Sequence, residues 1–333
     1  MGCPSGIGPE VVLGACLKRG APPAVVVGDR GVLVRAAVAL GWPKERIQSV
    51  PDYDPNRPLR GLQIVSPGPA LGAADRKWGK PSPAGGRAQL EYIEHGYRLA
   101  HYLGLPLVTA PVSKEAIAHS GLKRAKSFRG HTEWLEALDG AQHSVMCFAA
   151  DAVVTSLVTT HLPLSQVPAA LTPAAVTRAI IELADLMLRL GFAAPRIAVC
   201  SVNPHAGEGE LLGSEEKTAI LPGISRATRL LGGRAHILGP VGAETAFRKA
   251  VSDGYDGVVA MYHDQATIPM KLIDFGGTVN VTQGLSIVRT SVDHGTAYDI
   301  AGKGIADARG MASAIALAGR LGSAPRQAPP QPW

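Results

Sequence analysis

Long apolar runs are missing from this chain. Gly, Pro or a charged residue interrupts every hydrophobic stretch before it reaches the ~20 residues of a membrane-spanning helix. No secretory h-region opens the sequence either, so the expectation is a soluble protein with no membrane partner. Cysteine is scarce: Cys3, Cys16, Cys147 and Cys200 are widely spaced, with no C-x-x-C. That excludes a disulfide framework and points to reduced thiols in a cytoplasm. Aromatics make up 5% and charged residues 18%, against 46% hydrophobic residues, which excludes extended disorder and suits small-residue helices packed on a parallel sheet. Lys and Arg exceed Asp and Glu by six, but the densest basic cluster is only Lys123, Arg124, Lys126 and Arg129. Without a basic patch or stripe a nucleic-acid role is excluded, whereas a small phosphorylated or carboxylated substrate needs only a few convergent cations.

Several catalytic signatures are also absent. No G-x-S-x-G occurs, Ser113, Ser201 and Ser291 have no adjacent base, and there is no Walker A loop. The glycines Gly2, Gly6 and Gly8 have the spacing G-x-x-x-G-x-G, not the dinucleotide fingerprint G-x-G-x-x-G. A turn of this kind follows a strand, and only Met1 precedes it, so an apolar strand is expected upstream of Met1.

At 333 residues the chain suits about two domains of ~150 residues, and strands alternate with helices along it. Strands are expected at 24–28, 62–66, 106–112, 144–150, 153–160, 197–203, 235–241 and 257–263. Helices are expected at 29–40, 87–103, 173–190, 215–231 and 243–251, with a short one after Ser113 as N-cap. Val176, Ile180, Leu183, Met187 and Leu190 form a core-facing stripe at helical spacing. The expected fold class is α/β, two α/β/α domains on mostly parallel sheets. The Pro-rich end from residue 322 reads as a disordered tail.

The chemistry concentrates between Val258 and Gly304, where His263-Asp264, Lys271, Asn280, Arg289, Asp293-His294 and six glycines share 47 residues. His161, His205 and His263 each follow a strand-like run. Taken singly, each reads rather as a structural histidine, but their shared placement reverses that and suits three imidazoles on a divalent metal, with Asp264 and Asn203 orienting a ring. Lys271, Asn280 and Arg289, with His131-Thr132 after a glycine at a helix start, could hold an anion; taken singly, Lys271 and Arg289 are also solvated charges. The loop holding His294, Gly295, Thr296 and Asp299 is a candidate cofactor loop, with a helix cap the alternative for Asp299.

The stretches PSGIGPE (4–10), TAPVSKEAI (109–117), GHTEWLEA (130–137), TTHLPL (159–164), NPHAGEGELLGSEE (203–216), GPVGAETAF (239–247), MYHDQATIPMK (261–271) and VNVTQGLSIVRTSVDHGTAYDIAGKGIAD (279–307) resemble, in order, the 4-hydroxythreonine-4-phosphate dehydrogenase family. That resemblance implies an isocitrate/isopropylmalate dehydrogenase-like fold with the active site in the interdomain cleft. It implies one domain of residues 1–127 plus 279–321 and another of 128–278 that carries most metal ligands and the dimer contacts. It further implies metal ligation by His161, His205 and His263, one of them supplied across a homodimer interface. His131, Thr132, Lys271, Asn280 and Arg289 would hold the phosphorylated substrate, and His294, Gly295, Thr296 and Asp299 the NAD or NADP. The metal would be zinc, with magnesium or cobalt as alternatives. The implied reaction of vitamin B6 biosynthesis oxidises C3 of 4-phosphooxy-L-threonine to a keto acid that loses its carboxylate, giving 3-amino-2-oxopropyl phosphate. Lys271, Asp264 and a water are the candidate bases. A departure stands at Cys3, where an acidic residue is usual. The alternatives are a relative acting on D-threonate or D-erythronate 4-phosphate, one acting on an aromatic cis-dihydrodiol carboxylate, which the phosphate-holding set disfavours, and a non-catalytic metal- or anion-binding protein.

Overall fold

The structure, a computed structural model, describes residues 1–18, 20–50, 53 and 62–324. Strands form at Val25–Val27 (β1), Ile47–Val50 (β2), Leu62–Val65 (β3), Leu107–Thr109 (β4), Val145–Ala149 (β5), Val154–Leu157 (β6), Arg196–Cys200 (β7), His236–Val241 (β8), Gly257–Ala260 (β9), Val279–Gln283 (β10) and Arg289–Val292 (β11). They belong to two compact units, one of Met1–Gln142 with Leu285–Gly322 and the other built on His143–Gly284.

In the first unit β1, β3 and β2 form a parallel sheet in that order, and β4 runs parallel to β11. Its helices start where the local chemistry satisfies their free N–H groups. Asp29 caps Arg30–Ala39 by accepting from the Val32 N–H at 2.8 Å, while its other oxygen takes the Leu71 N–H at 2.9 Å. Ser82 caps Pro83–Leu103 through the Gly85 N–H, with Pro at the first helical position, where no N–H is needed. That helix stops at Gly104, which takes the left-handed φ of 65°. Gly86 lets it lie against Lys114–Ala118, because a side chain there would collide with the Ala116 carbonyl. Helix His131–Asp139, placed by the sequence reading in the second domain, packs here. Phe128 and Leu135 are buried with Leu90, Ile93, Tyr97 and Ile117.

In the second unit the order is β10-β5-β6-β9-β7-β8. β6, β9, β7 and β8 are parallel, and β5 is antiparallel to both neighbours. Only four residues separate β5 from β6, and a parallel crossover needs a dozen or more. Thr172 caps Pro173–Arg189, whose Val176, Ile180, Leu183 and Met187 are fully buried. The strand expected to run through His263 ends at Ala260, and His263 is instead the first residue of helix His263–Ile273.

Helix Arg309–Ser323 retains residues 322 and 323 of the expected tail, and 325–333 lie outside the described residues. All four cysteines are free thiols. Among the described residues no single helix is long and apolar enough to cross a membrane.

Candidate active site

His161, His205 and His263 follow β6, β7 and β9, which are neighbours in the parallel part of the second unit's sheet. Their strand ends are tied together by groups that sequence reasoning overlooked. Thr159 donates its hydroxyl to the Met261 carbonyl at 2.7 Å, joining the exits of β6 and β9. Gln265 accepts from the Met261 N–H at 2.6 Å and donates to the Ser201 carbonyl at 2.8 Å, joining the exits of β9 and β7. A glutamine two residues after a histidine, inside the HDQ triplet, was the available signal. These ties place the His161 and His263 rings 5.6 Å apart, centroid to centroid. Nδ1 of His263 lies 2.7 Å from Oδ1 of Asp264.

His205 lies in a turn of left-handed backbone, φ 52° at His205 and 53° at Ala206. Glu216 organises that turn, accepting from the N–H groups of Val202 and Asn203 at 2.9 Å each. Asn203, expected to orient an imidazole, instead donates its side-chain amide to Glu215 and Glu216. Among the described residues no group of three or more His, Cys, Asp or Glu side chains converges. The structure therefore brings His161 and His263 together, while His205 lies on an exposed loop.

In the first unit His131 and Thr132 open helix His131–Asp139 after Gly130, whose first N–H groups have no partner within the helix. His131 is held well below the usual imidazole range by burial, and then by the charges of Arg289, the Met1 amine and Lys114. It is therefore neutral at pH 7. Arg289 on β11 is 3% exposed, donates to the Thr109 hydroxyl at 2.7 and 3.2 Å, and is lowered by burial to about 10, so it keeps its charge. Lys114 was read from sequence only as part of a capped helix start; its charge acts on His131, which makes it a further candidate for the anion-holding set. Lys271 and Asn280 lie in the second unit. Lys271 is exposed in the last turn of helix His263–Ile273, where a cation is favourable. Asn280 on β10 buries its Oδ1 without a hydrogen-bond partner.

The candidate cofactor loop packs on the N-terminal turn. The Ile7 N–H donates to the Thr296 carbonyl at 2.9 Å, and Cys3 Sγ lies 3.4 Å from the Tyr298 hydroxyl. Glu10, buried on helix Gly8–Cys16, accepts from the N–H groups of Gly302 and Gly304. His294 is exposed, with Nδ1 at 3.1 Å from the Gly295 carbonyl. Asp299 is exposed in a turn ten residues before the last helix begins, so it caps none.

Residues 21–318 match the family described as "Pyridoxal phosphate biosynthetic protein PdxA". A 4-hydroxythreonine-4-phosphate dehydrogenase of Desulfosudis oleivorans is 41% identical over 96% of this chain and 93% of its own. A putative D-threonate 4-phosphate dehydrogenase of Bradyrhizobium diazoefficiens is 38% identical over 96% and 95%. The crystal structure of 4-hydroxythreonine-4-phosphate dehydrogenase from Klebsiella pneumoniae superposes with a TM-score of 0.82 at 34% identity, covering 97% of this chain and 98% of that one.

Proposed function

The chain belongs to the pyridoxal phosphate biosynthetic protein PdxA family, and from that premise we propose that it is an NAD(P)- and divalent-metal-dependent dehydrogenase oxidising C3 of 4-phosphooxy-L-threonine. The keto acid formed loses its carboxylate to give 3-amino-2-oxopropyl phosphate, a step of vitamin B6 biosynthesis. The observation that carries this reading is the cationic set on His131, in which Arg289 and Lys114 both act on a neutral imidazole at a helix start. Those groups suit a phosphate: the helix N–H groups and His131 donate hydrogen bonds, and the planar guanidinium grips two oxygens. Lys271 and Asn280 complete the substrate set, and the buried, unbonded Asn280 Oδ1 is an acceptor available to a substrate hydroxyl or ammonium.

The donor set fits a divalent metal. Two imidazoles 5.6 Å apart, one with its Nδ1 engaged by Asp264, can each offer a nitrogen at about 2.0–2.1 Å from one ion. We assign His161 and His263 of one subunit to it, with His205 reaching it from the partner of a homodimer. The exposed Leu211, Ile268, Leu272 and Phe275 supply an apolar face for that dimer. Bound in this site, the cation would supply Lewis acidity toward the substrate's hydroxyl, and a nicotinamide held by the loop 294–299 would be the hydride acceptor. Asp264 holds the tautomer of His263, and Lys271 takes the hydroxyl proton. His294, Gly295, Thr296 and Asp299 hold the nicotinamide cofactor on the loop braced by Glu10.

D-threonate 4-phosphate is the second reading, because the relative bearing that name is nearly as similar. The test is reduction of NAD and of NADP with each 4-phosphate, with zinc, magnesium or cobalt present. Turnover of 4-phosphooxy-L-threonine in preference to the hydroxy acid supports the first reading, the reverse preference moves the chain to the second, and no turnover of either overturns both.

A further inference from the structure

Thr109, the last residue of β4, is buried, and its hydroxyl oxygen accepts from Nε and Nη2 of Arg289 at 3.2 and 2.7 Å. Arg289 opens β11, and the parallel register sets Thr109 beside Ser291, two residues further along, so the Thr109 and Arg289 side chains rise from one face of the ladder. A hydroxyl has two lone pairs and one proton. The guanidinium takes both acceptor positions, and among the described residues the Thr109 hydroxyl donates to no acceptor. The buried hydroxyls of Thr159, Thr177 and Thr290, by contrast, donate to the carbonyls of Met261, Pro173 and Ala314 at 2.7, 2.7 and 2.9 Å. A buried donor without an acceptor is costly, and this one stands beside charge that suits an anion. Arg289 acts on His131, and Thr109 and His131 line one cavity of about 420 Å³ in the first unit.

We propose that Thr109 is a further phosphate-binding residue, whose hydroxyl fixes the plane of the Arg289 guanidinium and gives its own proton to an oxygen of the substrate's phosphate. This role rests on the assignment of Arg289 and His131 to that phosphate. A hydroxyl suits both tasks. It accepts from the guanidinium without neutralising it, as a carboxylate in the same place would do, so the cation keeps its pull on an anion. Two N–H bonds into its oxygen also polarise the O–H toward donation. A phosphate offers three strong acceptor oxygens, and a hydrogen bond to a charged acceptor is about twice as strong as one between neutral groups.

The test measures binding of inorganic phosphate to the full chain by calorimetry, and KM for 4-phosphooxy-L-threonine and for its unphosphorylated analogue. Thr109→Val keeps the shape of the side chain and removes the hydroxyl. It should weaken phosphate binding and raise KM for the phosphorylated substrate about tenfold or more, with turnover of the unphosphorylated analogue little changed. Thr109→Ser, which restores a hydroxyl, should recover most of the loss. A threonine that only supports the fold would lower turnover of both substrates alike, and that outcome overturns the proposal. Direct donation is separated from orientation of Arg289 in the Arg289→Met background, where adding Thr109→Val should still weaken phosphate binding several-fold. No further loss there would overturn the direct contact. Should Thr109→Val not fold, Thr109→Ala and Thr109→Ser carry the same comparison. Phosphate binding that depends on Thr109, without turnover of either 4-phosphate, would remove the assigned reaction and keep the role of Thr109; turnover with phosphate binding indifferent to Thr109 would overturn that role alone.

Discussion

Asp264 Oδ1 lies 2.7 Å from Nδ1 of His263, one residue before it at the start of the same helix. A carboxylate can only accept, so Nδ1 carries the proton and Nε2 keeps its lone pair. That is the tautomer a metal ligand needs, and it makes Asp264 a candidate positioning residue beside its reading as a base.

Asp264→Asn should therefore weaken zinc binding by about 10- to 100-fold, measured by equilibrium dialysis of the purified protein. Restoring activity by raising the metal concentration is the expected companion result. Metal affinity unchanged beside a collapsed kcat would return Asp264 to the role of base.

The two candidate residue sets differed in how legible they were. The three histidines could be found because each ends an apolar run, and the sheet order makes those three strands neighbours. What the sequence could not show was the turn organised by Glu216, where His205 lies in left-handed backbone, since no local pattern announces a carboxylate that accepts from N–H groups thirteen and fourteen residues upstream. In the candidate anion set, Arg289 and His131 were legible but Lys114 was not, because a lysine at a capped helix start looks like ordinary surface until tertiary packing brings its charge to act on His131. Likewise β5 was read as a strand, while its antiparallel sense followed only from the short link to β6.

Arg289→Met should raise KM for the phosphorylated substrate about 10- to 100-fold, the loss of a charge-assisted contact of roughly 1.5–3 kcal/mol. Turnover of the unphosphorylated analogue should change little. Lys114→Ala should act in the same direction but less, since its side chain is exposed and solvent screens it. Steady-state kinetics on both substrates would check this. Equal losses on both would mean that Arg289 supports the fold and not the phosphate.

The lowered pKa of His131 carries a pH dependence with a definite sign. Above about 6.5 both folded and unfolded chains leave this imidazole neutral. As pH falls from there toward the lower folded value, the unfolded chain takes up the proton first, so stability declines, by at most about 1.4 kcal/mol per pH unit. The Met1 amine, lowered from 8.0 to about 5, acts in the same direction between those values. Thermal melts from pH 8 to 5 should thus show Tm falling, with a shallower slope in His131→Gln. Inorganic phosphate should flatten the slope of the parent chain if the cationic set binds it.

Glu10 holds two glycine N–H groups of the candidate cofactor loop from a buried position. Glu10→Ala leaves both without their acceptor, at roughly 1–3 kcal/mol each where water cannot replace it. The expected outcome is a higher KM for NAD with KM for the phosphorylated substrate unchanged. Glu10→Gln, which keeps an acceptor oxygen, should recover part of the loss. A rise in the substrate's KM alone would take the loop 294–304 out of cofactor binding.

His161 and His263 meet within one chain while His205 stays on an exposed loop, and this arrangement makes a sharing experiment decisive. If His205 crosses to a partner, mixing His161→Ala and His205→Ala chains yields hybrid dimers in which one site has all three imidazoles and the other lacks two. Activity and tightly bound zinc should then reappear in a mixture of two individually dead proteins. Breaking the apolar face with Leu272→Glu and Phe275→Glu, residues each 82% exposed, should give monomers by light scattering that have lost the metal although His161 and His263 are intact. Monomers that retain zinc and turnover would place all three ligands in a single chain.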